Sequence, residues 1–333
     1  MPVAFSGPNY VYLQVTKECC GCAWECYVKP DGIAMSLREA KKIVDLLKES
    51  KVFAIIIDGG NVLEWDGIHE LIKYIRSKSM VVGLALNGQI DKQEINALGR
   101  VKPNMMQIPL EGPEKTHDSI RGEQSYKRTL EALVEARKRN LEMHVGTTVA
   151  GFNLPYLSET SDAIHHLVSL HRLIRYVPPS GKGFLTPQEN LKVLEIMHDL
   201  RFNKGREITV NNCYTFMMVS KIREKIRKPE DFLGCLAGKT SLYITAEGYI
   251  TPCPMLSSKD VAMKVKAPAI WETNLLETWK NWDFLQRIRE PCIECQECKY
   301  AETCGGCRAL SFFVNGDFLK DPGCPFGVIQ TAT

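Results

Sequence analysis

No stretch of the chain approaches the ~18 uncharged apolar residues that a membrane-spanning helix needs, so a membrane protein is excluded on this reading. The first ten residues lack both a charged start and a long apolar run, which argues against a cleaved export signal. Charge of one sign is lacking too. The 42 basic and 39 acidic residues leave a net charge of +3, and a field so close to neutral points neither to nucleic acid nor to an anionic membrane surface. Low-complexity tracts are absent, as are internal repeats beyond an alternation of strand and helix. The 333 residues are 44% hydrophobic and 24% charged. The expectation is a cytoplasmic globular protein with one large domain and one smaller one.

Cysteine is what the chain has in excess. There are 13: Cys19, Cys20, Cys22 and Cys26 lie close together, Cys213 stands alone, and eight fall between Cys235 and Cys324. An odd count with pairs two residues apart suits a disulfide scaffold poorly. In a chain without an export signal, clustered thiols point to metal.

Through its first two thirds the sequence alternates. Apolar β-rich runs at Tyr10–Thr16, Val52–Asp58, Val81–Leu86, Met105–Leu110, Glu142–Val149 and Arg172–Pro178 are separated by amphipathic segments such as Ser36–Ser50, Gly67–Lys78, Ser125–Asn140 and Leu157–Ser169. A helix at Thr186–Leu200 and a further strand at Glu207–Asn212 follow. Such alternation predicts an α/β fold of parallel βαβ units. On pattern alone, a partial barrel and an open doubly wound sheet fit equally well. In both, chemistry gathers in the loops after the strands. Those loops hold the cysteine cluster, Gly59-Gly60-Asn61, Asn87-Gly88, Glu111-Gly112-Pro113 and the segment Pro178 to Gly183. Each glycine alone reads as a plain turn; their coincidence at one end of the sheet points to a ligand site.

From Cys235 the character changes to short strand pairs, with a hairpin turn at Glu247-Gly248. The run Cys295-x2-Cys298-x5-Cys304-x2-Cys307 is the strongest single signal. Two-residue spacings let neighbouring thiolates converge, and Gly305-Gly306 permits a tight wrap. Four thiolates suit zinc and an iron–sulfur cluster alike, and spacing leaves the two open.

The string Cys235-Leu-Ala-Gly, Gly248-x4-Cys253, Cys295 to Cys307 and Cys324-Pro resembles the SPASM domain of radical SAM maturases. It departs in the two-residue gap before Cys307, where three is usual. The barrel half resembles the radical SAM core over about residues 8 to 212. Leu13 to Cys19 resembles the strand entering the cluster loop, and Cys26-Tyr27 its last cysteine and the aromatic residue near adenine. Asp58-Gly59-Gly60-Asn61 stands for Gly-Gly-Glu, and Leu86-Asn87-Gly88 for Thr-Asn-Gly. Pro109 to Pro113 with His117-Asp118-Ser-Ile-Arg121-Gly122 stands for the Ser-Leu-Asp-Gly-Pro and His-Asp-x-x-Arg-Gly segments.

The resemblance implies a partial (β/α)6 barrel over residues 1–212, a linker over 213–234 and a SPASM-like domain over 235–333. It implies a radical SAM enzyme with S-adenosylmethionine (SAM) and three [4Fe–4S] clusters. Cys19, Cys22 and Cys26 would hold the catalytic cluster. Tyr27, Gly59, Gly60, Asn61, Asn87 and Arg121 would line the SAM site. Cys235, Cys253 and Cys307 would bind one auxiliary cluster, its fourth position being Cys213, Cys292 or open. Cys295, Cys298, Cys304 and Cys324 would bind the other. The implied partners are a peptide, protein or cofactor-precursor substrate and a low-potential ferredoxin or flavodoxin. Short length and a compact C-terminal region look most like tungsten-cofactor-modifying proteins and short peptide maturases.

Three departures fall at the chemistry. The family's Cys-x3-Cys-x2-Cys loop puts Ala23 at its middle position, one residue from Cys22. Asn61 replaces a glutamate expected to hold the SAM ammonium, a loss of about 1–3 kcal/mol. Pro109 replaces a serine and removes a donor. A degenerate member serving as an electron carrier or assembly scaffold is the rival reading. His165, His166 and His171 read as surface or packing residues, and His117-Asp118 as a loop-fixing pair. Leu275, Trp279, Trp282 and Leu285 read as one helix face, and the basic run Lys221 to Lys228 as a solvated linker.

Overall fold

The computed structural model describes residues 5–19, 22–211, 234–298, 300–301 and 304–325. Cys20, Cys213 and the basic run from Lys221 to Lys228 lie outside the described residues.

Seven parallel strands form the frame: β1 (Tyr10–Thr16), β2 (Ala54–Gly59), β3 (Val81–Ala85), β4 (Met105–Pro109), β5 (Met143–Val149), β6 (Leu170–Arg175) and β7 (Ile208–Val210). They lie side by side in sequence order, from β7 through to β1. A doubly wound sheet reverses its order at a switch point; this one never does. Of the two architectures that fitted the pattern, the fold is the partial barrel.

The connecting helices are α1 (Leu37–Glu49), α2 (Ile68–Ser77), α3 (Lys92–Val101), α4 (Glu114–Arg121), α5 (Ser125–Lys138), α6 (Leu157–Ile164) and α7 (Pro187–His198). Local chemistry sets several starts. Ser36 and Glu39 close a capping box at α1, Asp91 and Glu94 at α3, and Thr186 and Glu189 at α7. Period two on the strands then decides what is buried where. Val11, Leu13 and Val15 alternate with Tyr10, Tyr12 and Gln14, and the aliphatic set joins Ile55, Ile57, Val82 and Leu84 in one core with Ile43 and Leu47 of α1. The opposite face carries the polar residues Gln14, Asp58 and Gln107 among Tyr12, Ile56 and Met105. That face is the inside of the barrel.

The C-terminal region is joined to this frame. β8 (Ser241–Ile244) pairs in parallel with β1, Tyr10 opposite Ser241 and Leu13 opposite Ile244, and turns through Gly248 into antiparallel β9 (Ile250–Thr251). Buried Lys17 at the end of β1 bridges Asp31 and Glu247 of that hairpin. Beyond lie α8 (Lys259–Lys264), α9 (Leu275–Asn281), α10 (Asp283–Arg289) and α11 (Arg308–Asn315). The single helix expected across Leu275, Trp279, Trp282 and Leu285 is two, because Trp282 is extended at φ −73°, ψ 113°. Leu275, Trp279 and Leu285 are nonetheless buried. Among the described residues no helix is long and apolar enough to cross a membrane.

Candidate functional site at the barrel mouth and the C-terminal thiols

The loop carrying Cys19, Cys22 and Cys26 leaves β1 across the end of β2. A Cβ on Gly60 would lie 1.9 Å from the carbonyl oxygen of Glu18, and one on Gly59 2.3 Å from that of Thr16. Only glycine lets the backbones meet, which they do through Gly60 N–H to Thr16 O at 2.9 Å and Asn61 N–H to Glu18 O at 2.7 Å. Gly59 and Gly60 thus set the loop in place. Asn61 is buried, and its Oδ1 accepts from the Leu63 amide at 3.4 Å.

The three thiols are tied to the neighbouring loops. Asn87 Nδ2 donates to Cys19 Sγ at 3.8 Å, and the Ala23 amide to Ile120 O at 3.0 Å. Arg121 is held by Glu111, which also accepts from the Thr148 amide at 2.8 Å, and reaches Asn87 O at 3.5 Å. From there its charge acts on both Cys22 and Cys26. Burial pushes the Cys26 thiol up to about 11, and Cys22 beside it adds to the effect. As an iron ligand, Cys26 would have to give up that proton. His117-Asp118 fixes its loop as expected: Asp118 accepts from the amides of Gln124 and Tyr126, and His117 Nδ1 from the Glu111 amide at 3.0 Å.

Tyr27, expected near the adenine, stands beside Cys26 in the lining of a cavity. Its hydroxyl donates to Asp58 at 3.0 Å, and its ring meets Tyr243 of β8 edge-on at 6.3 Å. Asp58 is buried inside the barrel, and burial lifts its carboxyl to about 6. Trp24 of the same loop packs its ring 4.7 Å from that of Tyr176 and 5.2 Å from that of Phe152. The sequence reading missed Asp58 and Trp24; a carboxylate on an inward strand position was the available signal.

All eleven described cysteines are free thiols. Cys253 is half-buried, with Cys235 and Cys307 within electrostatic reach, and desolvation foremost drives its thiol up. Cys292, fully buried, shares a proton with Cys295, the bond holding Cys295 low. A Cβ on Gly306 would stand 3.2 Å and 3.5 Å from the sulfurs of that pair. Cys292 therefore sits against the second expected ligand set, beside Cys295. Cys298 follows through its amide to Cys295 O at 3.1 Å, Cys304 is buried, and the Cys324 amide donates to Asp321 O at 3.1 Å. Among the described residues no three His, Cys, Asp or Glu side chains close on a single-ion site. Arg308 is buried within electrostatic reach of Cys235, Cys292, Cys304 and Cys307, and a buried cation beside these thiols fits an anionic thiolate-ligated cluster.

A cavity of about 330 Å³ joins the two regions, with Cys26, Tyr27 and Pro179 on the barrel side and Met255, Phe312 and Phe313 on the other.

Comparison with known proteins agrees with this geometry. Residues 18–164 match the Radical SAM superfamily and residues 235–308 match SPASM, an iron–sulfur cluster-binding domain. The chain is a radical SAM superfamily enzyme with a C-terminal SPASM domain, and its cofactors are iron–sulfur clusters and SAM. It is 24% identical over 340 residues to the AdoMet-dependent heme synthase of Oleidesulfovibrio alaskensis, covering 94% of this chain and 86% of that one. It is also 24% identical to the mycofactocin maturase MftC of Mycobacterium tuberculosis, over 91% of this chain and 78% of MftC. Streptococcus suis SuiB, solved with its precursor peptide SuiA, shares the fold at a TM-score of 0.78 and 16% identity, over 96% of this chain and 76% of SuiB.

Proposed function

We propose that this chain cleaves SAM reductively to a 5′-deoxyadenosyl radical that abstracts hydrogen from a peptide side chain, in the cytoplasm, with electrons from a low-potential ferredoxin or flavodoxin. The observation that carries the reading is the cavity linking Cys26 and Tyr27 to Phe312 and Phe313 of the C-terminal region. Cys19, Cys22 and Cys26 would hold the catalytic cluster, which supplies the electron and the open iron that SAM chelates. Cys235, Cys253 and Cys307 would hold one auxiliary cluster, and Cys295, Cys298, Cys304 and Cys324 the other.

The chain's own residues do the remaining work. Gly59 and Gly60 seat the loop. Asn87 and Arg121, fixed on Glu111, orient the thiols and present positive charge to their anionic site. Phe312, Phe313 and Met255 exclude water from the cavity. Lys29, Lys264 and Asp260 line it too, with Asp260 3.8 Å from Lys29, and the remaining positive charge on Lys264 favours an acidic peptide over a basic one. The peptide maturases among the relatives support this class. A cofactor precursor is the alternative.

The test is anaerobic reconstitution and reduction with SAM. Formation of 5′-deoxyadenosine in the wild type, and its loss in Cys26→Ala, is expected. A fully loaded wild type that makes none favours the electron carrier or scaffold, and the Ala23 and Asn61 departures then become its explanation.

A further inference from the structure

Arg308 is the last residue of the string Cys304-Gly-Gly-Cys307-Arg308 and the first of α11. It is 1% exposed, among the largest fully buried side chains of the protein. A guanidinium in that position loses its hydration and must find compensation within the fold. What it finds is only partial. Nε donates to Ile288 O at 3.1 Å and Nη1 to Gly306 O, while Nη2 is buried with no hydrogen-bond partner among the described residues. No carboxylate pairs with it in any ion pair between described residues.

Burial works against the charge, and the thiols of Cys235, Cys292, Cys307 and Cys304 lie within its electrostatic reach. The backbone places it at both proposed ligand sets: Arg308 directly follows Cys307 of the first, and Nη1 donates to the carbonyl of Gly306, where a Cβ would stand 3.5 Å from Cys295 Sγ of the second. Packing keeps it there. A Cβ on Gly305 would come within 2.8 Å of Nη1, and Gly305 itself accepts the Cys292 amide at 2.9 Å. The glycines in this string are thus what allow the ligand loop to close over the cation.

We propose that Arg308 is the shared counter-ion of the two auxiliary iron–sulfur sites, its unpartnered Nη2 left to donate to a bound cluster, and that it raises the reduction potential of both. The inference rests on the assignment of the C-terminal thiols to two clusters. Reduction adds a negative charge to each cluster, and a fixed cation with an N–H left to donate stabilises the reduced form. Arg308 touches no substrate and acts through the clusters; it is a tuning residue.

The test is an EPR-monitored redox titration of anaerobically reconstituted full-length protein, wild type against Arg308→Met and Arg308→Gln. Glutamine keeps a donor for Gly306 O and guards against misfolding of the methionine variant. In both, the auxiliary midpoints should fall so that the reduction equilibrium weakens about tenfold or more, which is about 59 mV for one electron. The catalytic cluster, identified by its spectral change on adding SAM, should keep its wild-type midpoint. Arg308→Lys, which retains charge without the fork, should give a smaller fall. Auxiliary midpoints that stay put in cluster-loaded variants would overturn the proposal. So would an equal shift of all three clusters, or loss of auxiliary iron from every variant, which would leave Arg308 a purely structural part. Wild-type protein with about four irons rather than about twelve would instead overturn the assignment of the C-terminal thiols, and the inference with it.

Discussion

Asp58 is the residue whose chemistry the fold sets most sharply. Its carboxyl lies inside the barrel under the Tyr27 hydroxyl, and burial raises it to about 6 from an ordinary value near 3.8. The ionised form is therefore disfavoured in the folded state. The penalty is absent below pH 4, grows between pH 4 and 6 and is complete above 6, where it amounts to about 3 kcal/mol. His117 and His171 have the opposite sense: burial lowers both to about 4, so the stability of their neutral forms is complete above about pH 6.5 and lost as pH falls toward 4. Comparing Asp58→Asn with the wild type cancels the histidines. The variant should match the wild type near pH 4 and gain stability over it by up to about 3 kcal/mol at pH 7, read by urea denaturation. A difference that does not change with pH would show that Asp58 is not held this way. Gly60 makes the second residue-scale case. A methyl there meets the Glu18 carbonyl at 1.9 Å, and backbone cannot swing aside as a side chain can. Gly60→Ala should cost about 1–3 kcal/mol and, because the displaced segment ends in Cys19, lower the iron bound by the N-terminal loop in reconstitution assays.

At the scale of elements, the frame was legible because strands and helices differ in period. β1 falls on the same residues in sequence and structure, Tyr10–Thr16, its aliphatic and polar residues alternating without a break. α3 and α4 went unread. α4 is short and polar, with only His117 and Ile120 buried, too little apolar surface to show a period. α3 buries Ile95, Leu98 and Val101 behind a capping box at Asp91, so its signal was present but brief. The break at Trp282 left no trace in the apolar spacing, since both helices present their large side chains to one core. The site divides in the same way. Cysteine spacing pointed to the thiols and the His-Asp-x-x-Arg-Gly motif to Arg121, whereas Arg308 sits among many like charges and differs in its burial. Caps are the elements' own energetic signature and can be tested singly. Thr186 accepts from the Glu189 amide at the start of α7, and Glu189 returns to Thr186. Thr186→Ala should destabilise the protein by about 1 kcal/mol, visible as a drop of a few degrees in Tm with the iron content unchanged. Loss of iron along with Tm would mean that α7 supports the thiols more directly than its position indicates.

At the scale of the whole molecule, one buried ion pair fastens the thiol-bearing loops to the barrel. Arg175 at the end of β6 grips Asp321 with both Nη atoms at 2.7 Å, and the two side chains are 1% and 0% exposed. Arg175 holds the Asp321 carboxyl below the usual range against the opposing effect of burial. The carboxylate spends its remaining lone pairs on the amides of Cys307 at 2.9 Å and Gly323 at 3.0 Å, while its own carbonyl receives the Cys324 amide. Asp321 thus touches the loops of Cys307 and Cys324, one from each proposed ligand set, and ties them to a barrel strand. A buried pair of this kind adds little net stability over an apolar pair of similar size, yet breaking it strands a charge at about 3–5 kcal/mol. Arg175→Met should therefore destabilise by that amount, and Asp321→Asn somewhat less, because asparagine still accepts from the Cys307 amide. The double variant Arg175→Met with Asp321→Leu should recover most of the global stability. It should not recover the auxiliary EPR signals, since leucine cannot receive the amides of Cys307 and Gly323. Global stability and cluster spectra would part company only if the carboxylate organises the loops. Were the double variant to regain wild-type spectra together with its Tm, the pair would be a simple fastening and the ligand loops would hold their shape without it.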